Sequence, residues 1–159
     1  MATKAEREAR VPMLVISPTS ANDGRRLLIG AQPMAYLTNI RPTSPVYSQV
    51  EPESIEFRKL LKDQDPDNLK LTSALRMNAS FPYITPVVTL PSKPKMRAMD
   101  AGARDNYGYR ITMMFLYTYR QWLKETTAGV TILQVRDQQR DLEVKSAGKT
   151  SFGRLLDPD

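Results

Sequence analysis

The residues from 100 to 108 carry the side chains best suited to acid and base chemistry. Asp100 follows a short apolar run, and a single alanine separates it from Gly102. Asp105 and Asn106 come next, and Gly108 closes the segment. This pattern predicts a strand that ends in a tight turn, where Gly102 takes a backbone conformation open to glycine. An aspartate at a strand end is well placed to act as a general base. An ordinary turn that happens to contain an aspartate is the alternative interpretation.

The composition restricts the chemistry in which Asp100 can take part. The chain has no histidine and no cysteine, which excludes a Ser-His-Asp triad, a cysteine nucleophile and a zinc site built from His or Cys. Acid and base catalysis at neutral pH therefore falls to carboxylates, Lys or Tyr. We expect neither a metal nor a cofactor.

The charge pattern bears on partners. The chain holds 23 Lys and Arg against 17 Asp and Glu, a net charge of +6, without a block of five like charges. Nucleic-acid binding usually needs clustered cations, so we do not expect a nucleic-acid partner. A diffuse positive excess is compatible with an anionic membrane surface. With no signal peptide and no apolar run of membrane-spanning length, a cytoplasmic or membrane-peripheral location is expected.

Two sequence patterns imitate ligand-binding motifs and fail. The segment Asp63–Asn68 begins like a calcium loop, but Asn68 stands where glycine is needed and Ala74 where a bidentate Glu belongs. Gly148-Lys149-Thr150 ends like a phosphate-binding loop, but Glu143 stands where the earlier glycine belongs. Neither pattern supports a metal or nucleotide site.

Apolar periodicity and turn signals predict alternating strands and helices. The predicted strands are 11–16, 27–30, 86–90, 95–99 and 129–135, and the predicted helices are 52–64, 66–79 and 109–125. Ser54 is the expected N-cap of the first helix, and Leu69, Leu71, Leu75 and Ala79 form the expected apolar face of the second. Residues 31–52 are expected to be an irregular loop. The order predicts an α/β fold, a layered helix–sheet–helix domain with a mostly parallel central sheet and a final βαβ crossover.

Three stretches resemble, in the right order, the patatin-like phospholipase family. Asp100-Ala101-Gly102 followed by Asp105-Asn106 resembles the catalytic aspartate motif, usually Asp-Gly-Gly with an Asn-rich continuation. Residues 16–26 resemble the strand and loop in which a Thr precedes a Gly-Arg turn. Residues 74–82 resemble the small-residue helix end before Phe-Pro. The resemblance covers residues 11 to about 137, and Ala101 departs from it where glycine is usual.

The resemblance implies a serine lipid acyl hydrolase with a Ser-Asp dyad, which agrees with the lack of histidine. Asp100 then is the catalytic aspartate, Gly102 lets the turn present it, and Asp105 and Asn106 hold the loop by local hydrogen bonds. In the family, the nucleophilic serine and the glycine-rich oxyanion loop lie upstream of these stretches. No G-x-S-x-G pattern occurs in this chain.

We therefore expect residues 11–137 to be the C-terminal half of a patatin-like acyl hydrolase domain, between a charged segment (1–10) and a polar tail (138–159). The expected partners are a lipid or ester substrate, a membrane surface, and either the missing N-terminal half or a second copy of the chain. A non-catalytic binding or scaffold domain of degenerate patatin-like origin is the alternative.

Overall fold

The computed structural model describes residues 4–38 and 52–136. The chain divides into two compact units, with the boundary between Gly108 and Tyr109. The described helices of the first unit are α1 (Lys4–Arg7), α2 (Phe57–Leu60), α3 (Leu71–Asn78) and α4 (Gly102–Asp105). Its described strands are β1 (Val15–Ile16), β2 (Thr19–Ser20), β3 (Arg26–Gly30), β4 (Ser54–Glu56), β5 (Val88–Thr89) and β6 (Arg97–Met99).

A β-hairpin begins the sheet. Strands β1 and β2 both pair antiparallel with β3, and the two pairings share one register. Pro18 lies between β1 and β2, and its carbonyl accepts a hydrogen bond from the Leu27 N–H of β3 at 2.8 Å. The turn contains Asn22-Asp23-Gly24, and Gly24 has φ +73°, a conformation that glycine adopts without steric cost. The strands predicted over 11–16 and 27–30 are therefore formed in part, as β1 and β3, and they pair with each other across this turn.

The rest of the sheet is also mainly antiparallel. Strand β6 pairs with β2 and with β5, both antiparallel, while β4 pairs with β3 in parallel. The described strands thus form a curled antiparallel sheet, a half-barrel. The predicted mostly parallel central sheet is wrong.

Two local misassignments explain this error. Residues 129–135 are exposed and form no strand, so the predicted βαβ crossover is not formed. The predicted helix 52–64 begins instead as β4, in which Ser54 is buried and pairs with Arg26. Ser54 is therefore a strand residue and not an N-cap, and only the short α2 follows it.

The main core lies between one face of the sheet and helices α2 and α3. Ile16, Leu27, Ile29 and Ala98 come from the sheet and its flanks, and Phe57, Leu61, Ala74 and Met77 from the helical segments. Ala74 is fully buried, and its small side chain permits close approach of α3 to the sheet. Leu71 and Leu75 are about half exposed, so the apolar face predicted for this helix is wrong. The helix also begins at Leu71, after a 3-10 turn over Pro66–Asn68.

The other face of the sheet is buried as well, although it carries polar side chains. The Arg26 guanidinium bonds Glu53 at 2.7 Å and the Ser54 hydroxyl at 3.2 Å. The Glu56 carboxylate accepts a hydrogen bond from the Met34 N–H at 2.6 Å. Met34 precedes a 3-10 turn, Ala35–Leu37, whose Leu37 is fully buried. Residues 39–51, most of the predicted irregular loop, lie outside the described residues.

The second unit, where described, holds two helices in place of the single one predicted over 109–125. They are α5 (Tyr109–Thr118) and α6 (Arg120–Thr126), separated at Tyr119. The Arg120 guanidinium donates to the Tyr117 carbonyl at 2.7 Å and lies 4.3 Å from the centroid of that ring. The predicted polar tail, 138–159, lies outside the described residues.

Candidate functional site

Asp100 lies directly after β6, as predicted, and the end of α3 holds its backbone. The Asp100 N–H donates to the Ser80 carbonyl at 2.8 Å, and the Ala101 N–H donates to the Asn78 carbonyl at 3.0 Å. Ala101 is buried and Asp100 is half-buried. The strand end is therefore fixed, while the carboxylate remains partly open to solvent.

One carboxylate oxygen of Asp100 is engaged in a local turn. Its Oδ1 accepts a hydrogen bond from the Gly102 N–H at 2.6 Å, which satisfies one of the free N–H groups at the start of α4. Within the described part of the chain, Oδ2 forms no hydrogen bond. Such a carboxylate has one oxygen that is oriented and a second that can accept a proton.

Gly102 is required for a reason different from the one predicted. It is not among the described glycines with positive φ, and it forms the first residue of α4. A Cβ at this position would lie 2.6 Å from Oδ1 of Asp100 and 2.9 Å from Oδ1 of Asn106. The two polar side chains therefore occupy the space that any larger residue would need. The expected special backbone conformation of Gly102 is wrong, and the reason for the glycine is steric.

Gly108 has the conformation that was expected of Gly102. Its φ is +66°, and its N–H donates to the Asp105 carbonyl at 3.2 Å. The Asp105 N–H in turn donates to the Ala101 carbonyl at 2.8 Å. Asp105 therefore takes part in closing the loop through its backbone, and Asn106 lies against Gly102.

The three stretches that carry the family resemblance lie together in the first unit. Thr19 pairs with Met99 in the sheet, and Asn78 is bonded to Ala101. The Asn78 side chain joins the stretch 74–82 to the stretch 16–26, because its Oδ1 accepts a hydrogen bond from the Ser17 N–H at 3.2 Å. Three segments distant in sequence thus meet around the end of β6.

Sequence reasoning did not single out Asn78, Ser80 or Thr19 as site residues. The Ser80 hydroxyl is buried, and its oxygen lies 3.2 Å from the Met77 carbonyl oxygen and 3.4 Å from the Ala98 carbonyl oxygen, within hydrogen-bond distance of both acceptors. Thr19 is 2% exposed, and in the described residues its hydroxyl has no hydrogen-bond partner. In the sequence, Asn78 and Ser80 stand among small residues just before Phe81-Pro82. Two polar residues at the end of a predicted helix were the only sign in the sequence that these side chains bond neighbouring backbone groups.

The described residues contain no group of three or more His, Cys, Asp or Glu side chains arranged to hold a metal ion. Across 4–38 and 52–136, no helix has the length and apolar character needed to cross a bilayer.

Comparisons of the chain with protein-family models, curated proteins and solved structures found no significant match. The patatin-like relationship therefore remains a prediction from the sequence.

Proposed function

We propose that this chain supplies the catalytic base of a serine lipid acyl hydrolase, and that Asp100 is that base. The observation that carries the proposal is the state of the Asp100 carboxylate. It follows a strand held by Asn78 and Ser80, its Oδ1 is oriented by the Gly102 N–H, and its Oδ2 is unengaged in the described residues. Fixed orientation with an available oxygen is what a general base requires.

The proposed reaction uses a serine that lies outside residues 1–159 of this chain. As the serine oxygen attacks the ester carbonyl, Asp100 accepts the serine proton and a tetrahedral oxyanion forms. Collapse of this intermediate breaks the bond to the leaving alcohol, and protonated Asp100 returns the proton to that alcohol. Water then attacks the acyl-enzyme with Asp100 again as base, which releases the fatty acid and restores the serine.

Measurement of turnover in the assembly that joins this chain to the segment carrying the proposed serine tests this proposal. Asp100→Asn keeps the shape of the side chain but removes the base, so kcat should fall by about 10²–10⁴-fold. The matched control is Asp63→Asn, an exposed acid before the 3-10 turn, which should leave kcat within about twofold. Wild-type turnover in Asp100→Asn would remove Asp100 from the mechanism.

The 159-residue chain by itself should not hydrolyse p-nitrophenyl esters, because the proposed nucleophile is not part of it. Turnover by the purified chain that Asp100→Ala abolishes would contradict the assignment of the serine to another segment.

A non-catalytic binding or scaffold role is the second candidate, and one observation favours it. The hydrogen bond from the Gly102 N–H to Oδ1 of Asp100 is an ordinary Asx-turn contact between residues two apart, which needs no catalysis to explain it. If this role is correct, no assembly containing this chain has esterase activity that depends on Asp100, and Asp100→Asn changes only the stability of the chain.

A further inference from the structure

Five large apolar side chains lie exposed on and just after α3. We call them the apolar ridge: Leu71, Leu75, Phe81, Tyr83 and Ile84. Tyr83 is 105% exposed and Ile84 80% exposed, so the end of the ridge projects from the surface. Scattered single apolar residues are normal on protein surfaces, but five large ones exposed within residues 71–84 are a concentration typical of an interaction site.

The projecting end of the ridge is a hydrogen-bonded turn. The N–H groups of Ile84 and Thr85 donate to the Phe81 carbonyl at 3.1 and 2.9 Å, and the Phe81 N–H donates to the Thr85 hydroxyl at 3.0 Å. Tyr83 has φ +75°, a left-handed conformation uncommon for a residue with a side chain. The turn thus holds an aromatic and a branched apolar side chain outward in a fixed conformation.

The stretch of sequence that contains the ridge is positively charged. Residues 68–99 contain five of the 23 Lys and Arg of the chain and none of its 17 Asp and Glu. These five cations are Lys70, Arg76, Lys93, Lys95 and Arg97, and all five are exposed. Lys70 and Arg76 each lie next in sequence to a ridge leucine. Nearly all of the net charge of +6 therefore belongs to this stretch.

We propose that the apolar ridge inserts into the surface of an anionic lipid bilayer. Aromatic side chains with a polar end, such as Tyr83, favour the headgroup region, and Ile84 and Phe81 can reach the acyl boundary. Each nearby Lys or Arg strengthens binding to anionic lipid by about fivefold. A projecting apolar turn within an acid-free, cationic stretch has the charge complementarity that such a surface requires.

The projecting end of the ridge begins beside Asp100, because Ser80 directly precedes Phe81 and the Ser80 carbonyl accepts a hydrogen bond from the Asp100 N–H at 2.8 Å. Insertion of the turn would hold Asp100 close to the bilayer surface. This consequence rests on the proposed function and specifies its substrate as an ester presented by a membrane; the binding itself does not depend on catalysis.

Co-sedimentation of the 159-residue chain with lipid vesicles tests the inference. Vesicles of phosphatidylcholine with about a third phosphatidylglycerol should bind the chain at least tenfold more strongly than vesicles of phosphatidylcholine alone. The double variant Tyr83→Ser/Ile84→Ser should lose at least tenfold in binding to the anionic vesicles. The control Ile132→Ser/Leu133→Ser removes two exposed apolar residues from the second unit and should bind within twofold of wild type.

A charge variant separates the two contributions. Lys70→Glu/Arg76→Glu should weaken binding to anionic vesicles at least tenfold and leave the weak binding to neutral vesicles unchanged. Circular dichroism should show wild-type structure for each variant, because every substituted side chain is exposed.

Several results would overturn the inference. Equal binding to neutral and anionic vesicles, or anionic binding that Tyr83→Ser/Ile84→Ser leaves intact, would exclude the ridge as the membrane contact. If sedimentation velocity shows a dimer that this variant dissociates, and no vesicle binding occurs, a second copy covers the ridge. Asp100→Asn should bind vesicles like wild type, so loss of vesicle binding and loss of the proposed catalysis are separate outcomes.

Discussion

Replacing Gly102 with alanine tests how the Asp100 carboxylate is held. The added Cβ would lie 2.6 Å from Oδ1 of Asp100 and 2.9 Å from Oδ1 of Asn106. Both distances are shorter than carbon–oxygen contacts in folded proteins, so both side chains must move. The Asp100 carboxylate can move only by giving up its 2.6 Å hydrogen bond from the residue 102 N–H.

The expected energies can be worked out from two opposing effects. Loss of the carboxylate bond at the start of α4 costs about 1–2 kcal/mol. Alanine in place of glycine in a helix stabilises by up to about 1 kcal/mol. Gly102→Ala should therefore lower the free energy of unfolding by about 0–2 kcal/mol. In an Asp100→Ala background the bond is already lost, so the same substitution should stabilise by up to about 1 kcal/mol.

The assay is urea unfolding of the wild type, both single variants and the double variant. The two positions should show a coupling energy of about 1–2 kcal/mol. Gly108→Ala is a useful contrast, because Gly108 has φ +66° with open space around it. It should cost about 1 kcal/mol with or without the Asp100 carboxylate. Additivity of Gly102→Ala and Asp100→Ala within about 0.3 kcal/mol would refute the steric account of Gly102.

Two further predictions concern charged groups of the sheet. Partial burial acts to raise the pKa of Asp23, but hydrogen bonds from Arg25 and Ser20 and the charge of Arg25 together lower this pKa below its usual value. Asp23 therefore contributes stability above about pH 4, and this stability is lost as the pH falls through the pKa of Asp23 in the folded state. Asp23→Asn should lower the urea midpoint at pH 7 and leave it unchanged at pH 2. An equal shift of the midpoint at both pH values would contradict this account. The Arg26 side chain is 3% exposed and donates to Glu53 and to the buried Ser54 hydroxyl; Arg26→Met removes one hydrogen bond from each of them and should destabilise by about 2–3 kcal/mol. Its control, exposed Lys95→Met, should change stability by less than about 0.5 kcal/mol, and similar effects of the two substitutions would argue against the buried ion pair.

Local signals in the sequence were sufficient for the position of Asp100. The apolar run before it, the small residues after it and the glycine that closes the loop describe a strand end and a turn, both of which depend on near neighbours. The Asn-Asp-Gly turn is a second case, because the conformation of Gly24 and the hydrogen bonds of Asp23 are set within a few residues. Such features can be predicted because their partners stand beside them in the chain.

The direction of the sheet could not be predicted, because it depends on distant partners. Ser54 and Glu56 are polar, and polar residues at this spacing favour a solvent-exposed face. They are buried in β4 because Arg26 and the Met34 N–H satisfy them across 28 and 22 residues. Apolar periodicity does not register hydrogen bonds of this kind, so it predicts the start of a helix where the structure forms strand β4.

Helix α3 shows a different limit of sequence reasoning. Its sequence offers one apolar stripe with Leu71 and Leu75 and another with Ala74 and Met77, and hydrophobicity favours the leucines. The structure buries Ala74 and Met77, since a small residue lets the helix backbone approach β6. Because the Ala74 and Met77 face of α3 packs on the sheet, Asn78 and Ser80 reach the backbone of Ala101 and Asp100.

The hydrogen bond from the Ser17 N–H to the Asn78 side chain has a consequence for folding. It joins positions 61 residues apart, and the pairing of Thr19 with Met99 spans more still. Contacts of such high sequence separation form slowly, because the entropy of closing a long loop is lost before they can stabilise the chain. The surroundings of Asp100 should consequently assemble late, after the β1–β3 hairpin. During synthesis the aspartate can reach its final position only after β6 and α4 have emerged from the ribosome.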